Sequence, residues 1–302
     1  MFYILKPLIP RWLQISLRRQ LVSKQREKFK DIWPILSSAA EKPKHWKGWP
    51  DEKKFALVLT HDVELNSGHD KCKSLMRIEK DLGFRSSYNF VPERYSVSDD
   101  LRKYLEDNGF EVGVHGLNHD GKLFSSKSIF DERSEKINNY IKKWNAVGFR
   151  APAMHHNLEW LKQLDIEYDL STFDTDPFEP QSDGVGTIFP FLVTRNSGRE
   201  PYVEMPYTLV QDFTLFILMK EKDNSIWEKK LDWIAENGGV AILNVHPDYI
   251  NFENKSSLEE YPIRYYTDFL KYIKQNYTND YWNVLPRKLS SFWRQYANNT
   301  KI

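Results

Sequence analysis

The sequence predicts an α/β fold built on a parallel sheet. From residue 51 onward, short β-rich runs alternate with longer helical patterns, the order produced by strands joined through crossover helices. Phe55 to Val63 (FALVLTHDV) is an almost unbroken apolar run, as in a parallel strand covered on both faces. Six or seven such units follow one another, which suits a barrel better than a small open sheet, although periodicity alone does not close one.

Taken in order, residues 1 to 24 (MFYILKPLIPRWLQISLRRQLVSK) begin apolar but are interrupted by Lys6, Pro7 and Pro10. Their positive charges follow the apolar part, the wrong order for a signal peptide. After Pro10 the pattern is a short basic amphipathic helix, Trp12, Leu13, Ile15 and Leu17 against Arg11, Arg18, Arg19 and Lys24. Such a helix could lie on an anionic membrane surface or pack across the main domain. Residues 41 to 50 (EKPKHWKGWP) lack an apolar period and read as a linker or extended arm. Two regions result: a basic amphipathic segment with linker over 1–50, and a catalytic domain over 51–302.

Within that domain a helix over 70–82 is stopped by Gly83, and strands are expected over 86–91 and 110–115 with a helix between them at 99–108, N-capped by Ser98. A helix over 127–145, a strand over 147–150, a helix over 158–164 and a strand over 167–171 come next. Gly184 to Gly198 lacks the spacing of a phosphate loop and reads as a loop or hairpin beside the cleft. Strands over 202–207 and 240–246 and helices over 226–237 and 258–275 complete the pattern.

Composition excludes several classes. Apolar residues make up 40% and aromatics 15% of 302 residues, enough for a core and against disorder. The 43 basic and 42 acidic residues leave a net charge of +1, so no global field draws nucleic acid. No run approaches the ~20 apolar residues of a spanning helix. The single cysteine, Cys72, forms no internal disulfide and no cysteine-rich zinc site, so any metal is held by His, Asp or Glu.

The polar exceptions cluster at strand ends: His61, Asp62 and Glu64 after the first, His115 after the third, Arg150 after the fourth, Asp169 in the fifth and His246 after the last. Parallel α/β folds bring these ends to one face. A lone histidine there is more often a hydrogen-bonded structural residue, but their joint occurrence points to a cleft. His115 and His119, four apart in GVHGLNHDG, can clamp a metal on one helical turn or in a loop. A carboxylate from Asp62 or Glu64 would complete a two-histidine, one-carboxylate set with positions open for water and substrate.

Five ordered motifs, Thr60-His61-Asp62-Val63-Glu64, His115-x-x-x-His119, Arg150-Ala151-Pro152, Tyr168-Asp169-Leu170-Ser171 and Leu243-Asn244-Val245-His246-Pro247, resemble those of polysaccharide deacetylases, the NodB-homology or family-four carbohydrate esterases. The resemblance spans roughly residues 55 to 250. It implies a deformed (β/α)7 barrel and a divalent metal, zinc in most members, that removes N- or O-acetyl groups from a sugar. By this comparison Asp62 is the general base, Glu64, His115 and His119 are the metal ligands, and His246 is the general acid. Arg150 orients the base and Asp169 pairs with the acid, with Asp174 and Asp176 as competitors for that pairing or as substrate contacts. The family usually has adjacent aspartates, whereas Val63 separates Asp62 from Glu64 here; on a regular strand residues two apart point to the same side. Asp62 as the ligand remains the alternative.

Among the remaining signals, His155 in Met154-His155-His156 could line the substrate groove. Trp144, Trp160, Phe173, Phe178, Phe189 and Phe191 could stack on sugars, but aromatics at this abundance are more often core, and none is assigned to the groove. The expected substrate is an acetylated carbohydrate, handled by a cytoplasmic enzyme of cell-surface glycan assembly, peripheral at the membrane through residues 1–24. Two other readings compete: a sugar-binding homologue that has lost catalysis, and a non-haem iron oxygenase, whose facial triad has the same ligand types.

Overall fold

The computed structural model describes residues 10–195, 198–253 and 258–300. Its strands are β1 (Phe55–Val63), β2 (Ser86–Phe90), β3 (Glu111–His115), β4 (Gly148–Arg150), β5 (Tyr168–Asp169), β6 (Phe191–Val193), β7 (Tyr202–Glu204), β8 (Val240–Val245), β9 (Ile250–Asn251), β10 (Tyr261–Pro262) and β11 (Tyr281–Asn283). The helices are α1 (Arg11–Lys28), α2 (Asn66–Asp81), α3 (Asp99–Asp107), α4 (Lys127–Lys143), α5 (Leu158–Leu161), α6 (Ser225–Asn237), α7 (Arg264–Asn276) and α8 (Pro286–Thr300).

Parallel pairing runs β1-β2-β3-β4-β5-β7, and β8 pairs with the other edge of β1. The ring closes beyond β7, where Tyr207 bridges to Phe173 and Leu209 bridges to Leu243 of β8. Seven staves therefore surround one interior, a deformed (β/α)7 barrel whose wall is thinnest at this closure. All nine residues of β1 are buried, as its apolar run requires of a central parallel strand.

Alternation along β1 sorts its polar residues. His61 faces outward, where Nδ1 meets the Val245 carbonyl at 3.0 Å and Nε2 meets Glu79 of α2 at 2.8 Å; it is a structural histidine. Thr60 and Asp62 face inward, and Glu64 follows on the same side just past the strand end. Val63 thus occupies the layer against the helices and interrupts nothing in the cleft.

Boundaries moved where partners distant in sequence intervene. The expected helix at 70–82 begins at Asn66, because Asp248 accepts hydrogen bonds from Gly68 N (3.0 Å) and Ser67 Oγ (3.1 Å) and so caps it. The helix expected over 258–275 begins only at Arg264: Pro262 follows Tyr261 in β10, and a residue before proline avoids the helical region. Ser98 caps α3 as expected, accepting from Leu101 N. Residues 191–193 form β6, antiparallel to β7, but Ile188 accepts from Val240 N at the start of β8, which puts that stretch at the opposite end of the barrel from the cleft it was expected to border.

The expected linker is folded onto the barrel. Ala39 and Trp49 are buried, Ala39 O accepts from Ile188 N, and Trp46 packs edge-on against Trp49, Phe189 and Tyr296. The helix at 11–28 buries Gln14, Ile15 and Val22 against the domain. Trp144, Phe173, Phe178 and Phe189 are buried, and Trp160 and Phe191 pack partly buried against the core. Cys72 is buried and unpaired. Among the described residues no helix is long and apolar enough to cross a membrane.

One glycine is forced by the wall. A Cβ on Gly148 would lie 2.0 Å from Cζ of Tyr168 on the neighbouring β5. We expect Gly148→Ala to cost about 1–3 kcal/mol through overpacking, read as a lower denaturant midpoint without a change of slope.

Candidate active site

The C-terminal ends of β1, β3, β4 and β8 bring the predicted residues into one cleft. One ligand atom from each of Glu64, His115 and His119 can be chosen so that all lie within 4.8 Å of one another. Nδ1 of His115 sits 3.1 Å from the Arg150 carbonyl, so it carries the proton and leaves Nε2 free to bind a cation. Nε2 of both histidines is buried without a hydrogen-bond partner among the described residues. His119 Nε2 stands 3.0 Å from Glu64 Oε1 as an ion contact. Two imidazole nitrogens facing one carboxylate are a donor set that fits a divalent metal.

The loop that makes this possible is tight. His115 and His119 are joined by a loop, not a helical turn. His119 has φ +56°, the left-handed region that non-glycine residues enter at a cost. At Gly116 (φ +61°) a Cβ would meet the Pro152 ring at 2.6 Å, so only glycine lets this loop close on the Arg150-Ala151-Pro152 turn.

Asp62 lies alongside. Asn89 Nδ2 donates to Oδ1 at 3.0 Å, Asn244 Nδ2 donates to Oδ2 at 2.8 Å, and Arg150 Nη1 approaches Oδ1 at 3.3 Å. Its Oδ2 is 3.9 Å from His115 Nε2. Burial opposes ionisation, but Arg150, with His115 and His246, holds the carboxyl well below the usual range. Burial likewise opposes the charge on Glu64, and His119 beside it wins, with help from His246 and His115. Burial lowers His115 to about 4 against the pull of Asp62, so its imidazole is neutral near pH 7, as a metal ligand must be.

His246 completes the opposite wall. Its Nε2 is 3.9 Å from Glu64 Oε1, and its Nδ1 bonds Asp212 Oδ1 at 2.6 Å. Asp212 Oδ2 also accepts from His246 N (2.8 Å) and the Tyr261 hydroxyl (2.9 Å). Burial would lower the imidazole, but Asp212 raises it to about 10.

Asp169 is therefore not the partner of His246. It is buried, accepts from Ser171 N (3.1 Å) and Oγ (2.7 Å), and adjoins Glu204 on β7; burial raises both carboxyls. Asp174 is buried against Lys230 Nζ at 2.5 Å. Asp176 is buried under the Tyr207 hydroxyl at 2.8 Å and pushed up to about 8 by burial and by Glu179. Neither pairs with the histidine, since each is held by a partner of its own. Half-buried His155 lines a groove that starts at His119 and runs past Phe124 toward Asn157 and Gln181.

The sequence reading missed Asp212, Asn89, Asn244 and Asp248. Asp212 did carry a signal: it is a lone carboxylate heading the apolar run FTLFIL. The asparagines read as ordinary strand residues. Asp248 matters because its carboxylate accepts from Glu64 N at 2.8 Å and Leu65 N at 3.0 Å as well as from the start of α2. We expect Asp248→Ala to cost about 1–2 kcal/mol as a lost cap and to weaken metal binding roughly 10–100-fold by freeing Glu64, measured by competition with a chelating dye.

No protein-family model matches the sequence, and no curated protein matches it significantly. Solved structures do. A chain named as a polysaccharide deacetylase from Mycobacterium smegmatis superposes with a TM-score of 0.64 at 15% identity, covering 84% of this chain and 95% of that one. PuuE allantoinase gives 0.63 at 12% identity, over 83% and 95% of the two chains. A second chain named as a polysaccharide deacetylase, from Pseudomonas aeruginosa PAO1, gives 0.61 at 12% identity, over 82% and 93%. The chain therefore has the fold of the polysaccharide deacetylases, and the allantoinase shows that the fold itself does not name a substrate.

Proposed function

We propose that this chain, which has the polysaccharide deacetylase fold, is a metal-dependent hydrolase that removes N- or O-linked acetyl groups from a sugar or polysaccharide precursor. The observation that carries the reading is the convergence of Glu64, His115 and His119 with Asp62 on one side and the His246–Asp212 pair on the other. Glu64, His115 and His119 would hold a divalent metal, zinc as in most of the family the motifs resemble, which would supply polarisation of the acetyl carbonyl and a lowered pKa for water.

The chain's own groups do the rest. Asp62, fixed by Asn89, Asn244 and Arg150, is oriented to take a proton from the attacking water as general base. Arg150 spans Thr60 Oγ1, Asp62 and the Leu170 carbonyl, so it ties the base to the barrel wall. His246, kept protonated by Asp212, donates to the departing amine or alcohol. Asp169, Asp174 and Asp176 take no direct part. The groove past His119 and His155 holds the flanking sugar.

We place the reaction in cell-surface glycan assembly on the cytoplasmic side of a membrane, with the N-terminal segment as a peripheral contact. The test combines metal analysis of the purified protein with an acetate-release screen over acetylated sugars, nucleotide sugars, lipid-linked sugars and peptidoglycan fragments. Release that a chelator stops and zinc restores supports the reading. Saturable binding of an acetylated oligosaccharide without turnover, zinc supplied, favours a binding homologue. Iron-dependent oxygen uptake without acetate would favour an oxygenase, which the α/β barrel already disfavours.

A further inference from the structure

The base and the acid of the proposed reaction are held by neighbours in the chain. Asp212 holds His246, and the residue before it reaches the other way. Gln211 Oε1 accepts from Asn244 Nδ2 at 2.9 Å, and the same Asn244 amide donates to Asp62 Oδ2 at 2.8 Å. Gln211 and Asn244 are both buried. Asn244 and His246 are two apart at the end of β8, so residues 211 and 212 face them as a second rail. That rail is fastened just before, where Thr208 N and Leu209 N donate to the Ile242 carbonyl at 3.1 and 3.0 Å.

A side-chain amide has a donor end and an acceptor end, and only one way round serves here. Turned over, Asn244 would set its carbonyl oxygen against the Asp62 carboxylate, acceptor against acceptor. What decides the orientation lies at the far end of the chain of bonds. Gln211 Nε2 donates to Glu179 Oε1 at 2.5 Å, and the Tyr207 hydroxyl lies 3.0 Å from that same oxygen and 2.8 Å from Asp176 Oδ2. A hydroxyl has one proton to give, so one of the two carboxyls carries its own. Burial, with Glu179 beside it, pushes Asp176 up to about 8, so Asp176 keeps its proton near neutral pH and Glu179 is the acceptor. An ionised Glu179 only accepts. It draws the nitrogen of Gln211 toward itself and turns the oxygen to Asn244, whose two N–H bonds then point at Gln211 and at the base.

Asp62 depends on that last bond. Asn89 and Arg150 both act on Oδ1. Among the described residues Asn244 is the side-chain donor to Oδ2, the oxygen that lies 3.9 Å from His115 Nε2 and so borders the candidate metal ligands.

We propose that Gln211 is a positioning residue for the general base: anchored on Glu179, it holds Asn244 with its N–H toward Oδ2 of Asp62, so that the adjacent residues 211 and 212 set base and acid together. The proposal rests on the deacetylase reading above.

The test measures kcat and KM for acetate release by the full chain, zinc supplied, from a chitin tetramer or the first member of the screen above on which the wild type acts. Gln211→Glu sets a second carboxylate against Glu179 and should lower kcat about 30–100-fold, the scale of a small misplacement of a reacting group, with KM and metal content unchanged. Gln211→Met, similar in volume and lacking the amide, should lose about tenfold or more, and it serves where the glutamate variant does not fold. Glu179→Gln alone should cost less than about fivefold, because an amide there still accepts from Gln211. Gln211→Glu combined with Glu179→Gln reverses donor and acceptor in the outer bond yet leaves an acceptor facing Asn244, so kcat should return to within about fivefold of wild type. Gln211→Met combined with Glu179→Gln should show no recovery. Recovery by exchange is a result that a merely structural role would not give. Losses that simply add in the exchange, or KM and metal content falling along with kcat, overturn the positioning role while wild-type release upholds the deacetylase reading. No release by the wild type from any acetylated sugar sinks that reading, and the positioning role with it.

Discussion

Replacement of Glu64 or of His119 by alanine is expected to leave a folded chain that no longer retains metal through gel filtration and that has lost at least about a thousandfold in acetate release. Glu64 is the more telling of the two, because Val63 stands here where the motif that this stretch resembles usually has the second of two adjacent aspartates. Its carboxylate touches His119 and accepts from Tyr249, and none of the barrel's pairing depends on it. Alanine there removes one of three ligands and leaves the apolar wall intact, so circular dichroism should not change. His119 sits in a loop, and its removal also relieves a left-handed backbone residue of a bulky side chain. Unchanged metal content in Glu64→Ala would move the ligand role to Asp62 and leave the general base unassigned.

A comparably large loss, about a hundredfold to ten-thousandfold in kcat, is expected for Asp212→Asn, this time with metal content unchanged. Asp212 raises His246 to about 10 against the effect of burial. With the anion gone, burial is left to dominate and the imidazole gives up its proton at lower pH. If His246 is the general acid proposed above, the alkaline limb of the kcat profile should shift toward neutral pH. Asp169→Asn should leave that limb in place. The asparagine variant keeps the shape of Asp212 and can still accept through its carbonyl, so a shifted profile separates an electrostatic effect from a collapse of the site. If Asp212→Asn lowered turnover equally at all pH values, His246 would not be the acid.

What could be read in advance followed from local pattern. The run at 55–63 reads as a central parallel strand because it is apolar almost without interruption and rich in β-formers, and all nine of its residues are buried. The clustering of Glu64, His115 and His119 could be anticipated because their donor types and their position at strand ends are written locally. Asp212 could not, because its distance to His246 is set by the chain closing the barrel between residues 207 and 209, and no periodicity records that closure. The same holds for Asp248, whose cap on α2 joins segments 180 residues apart. The arm at 41–50 has no repeat from which its packing could be read; Trp49 is buried and Trp46 half-buried among rings drawn from Phe189, Trp282 and the C-terminal helix.

The thin closure has a further meaning. The candidate metal ligands stand on β1, which pairs over five residues with β2 and six with β8, and on β3, which pairs over four with β2 and two with β4, whereas Asp212, the partner of His246, follows a stave joined by single bridges at Phe173 and Leu243. Thr208 N and Leu209 N both donate to the Ile242 carbonyl and Asn244 Nδ2 donates to Gln211 Oε1, so the stretch that carries Asp212 is stitched to β8, the strand that ends in His246.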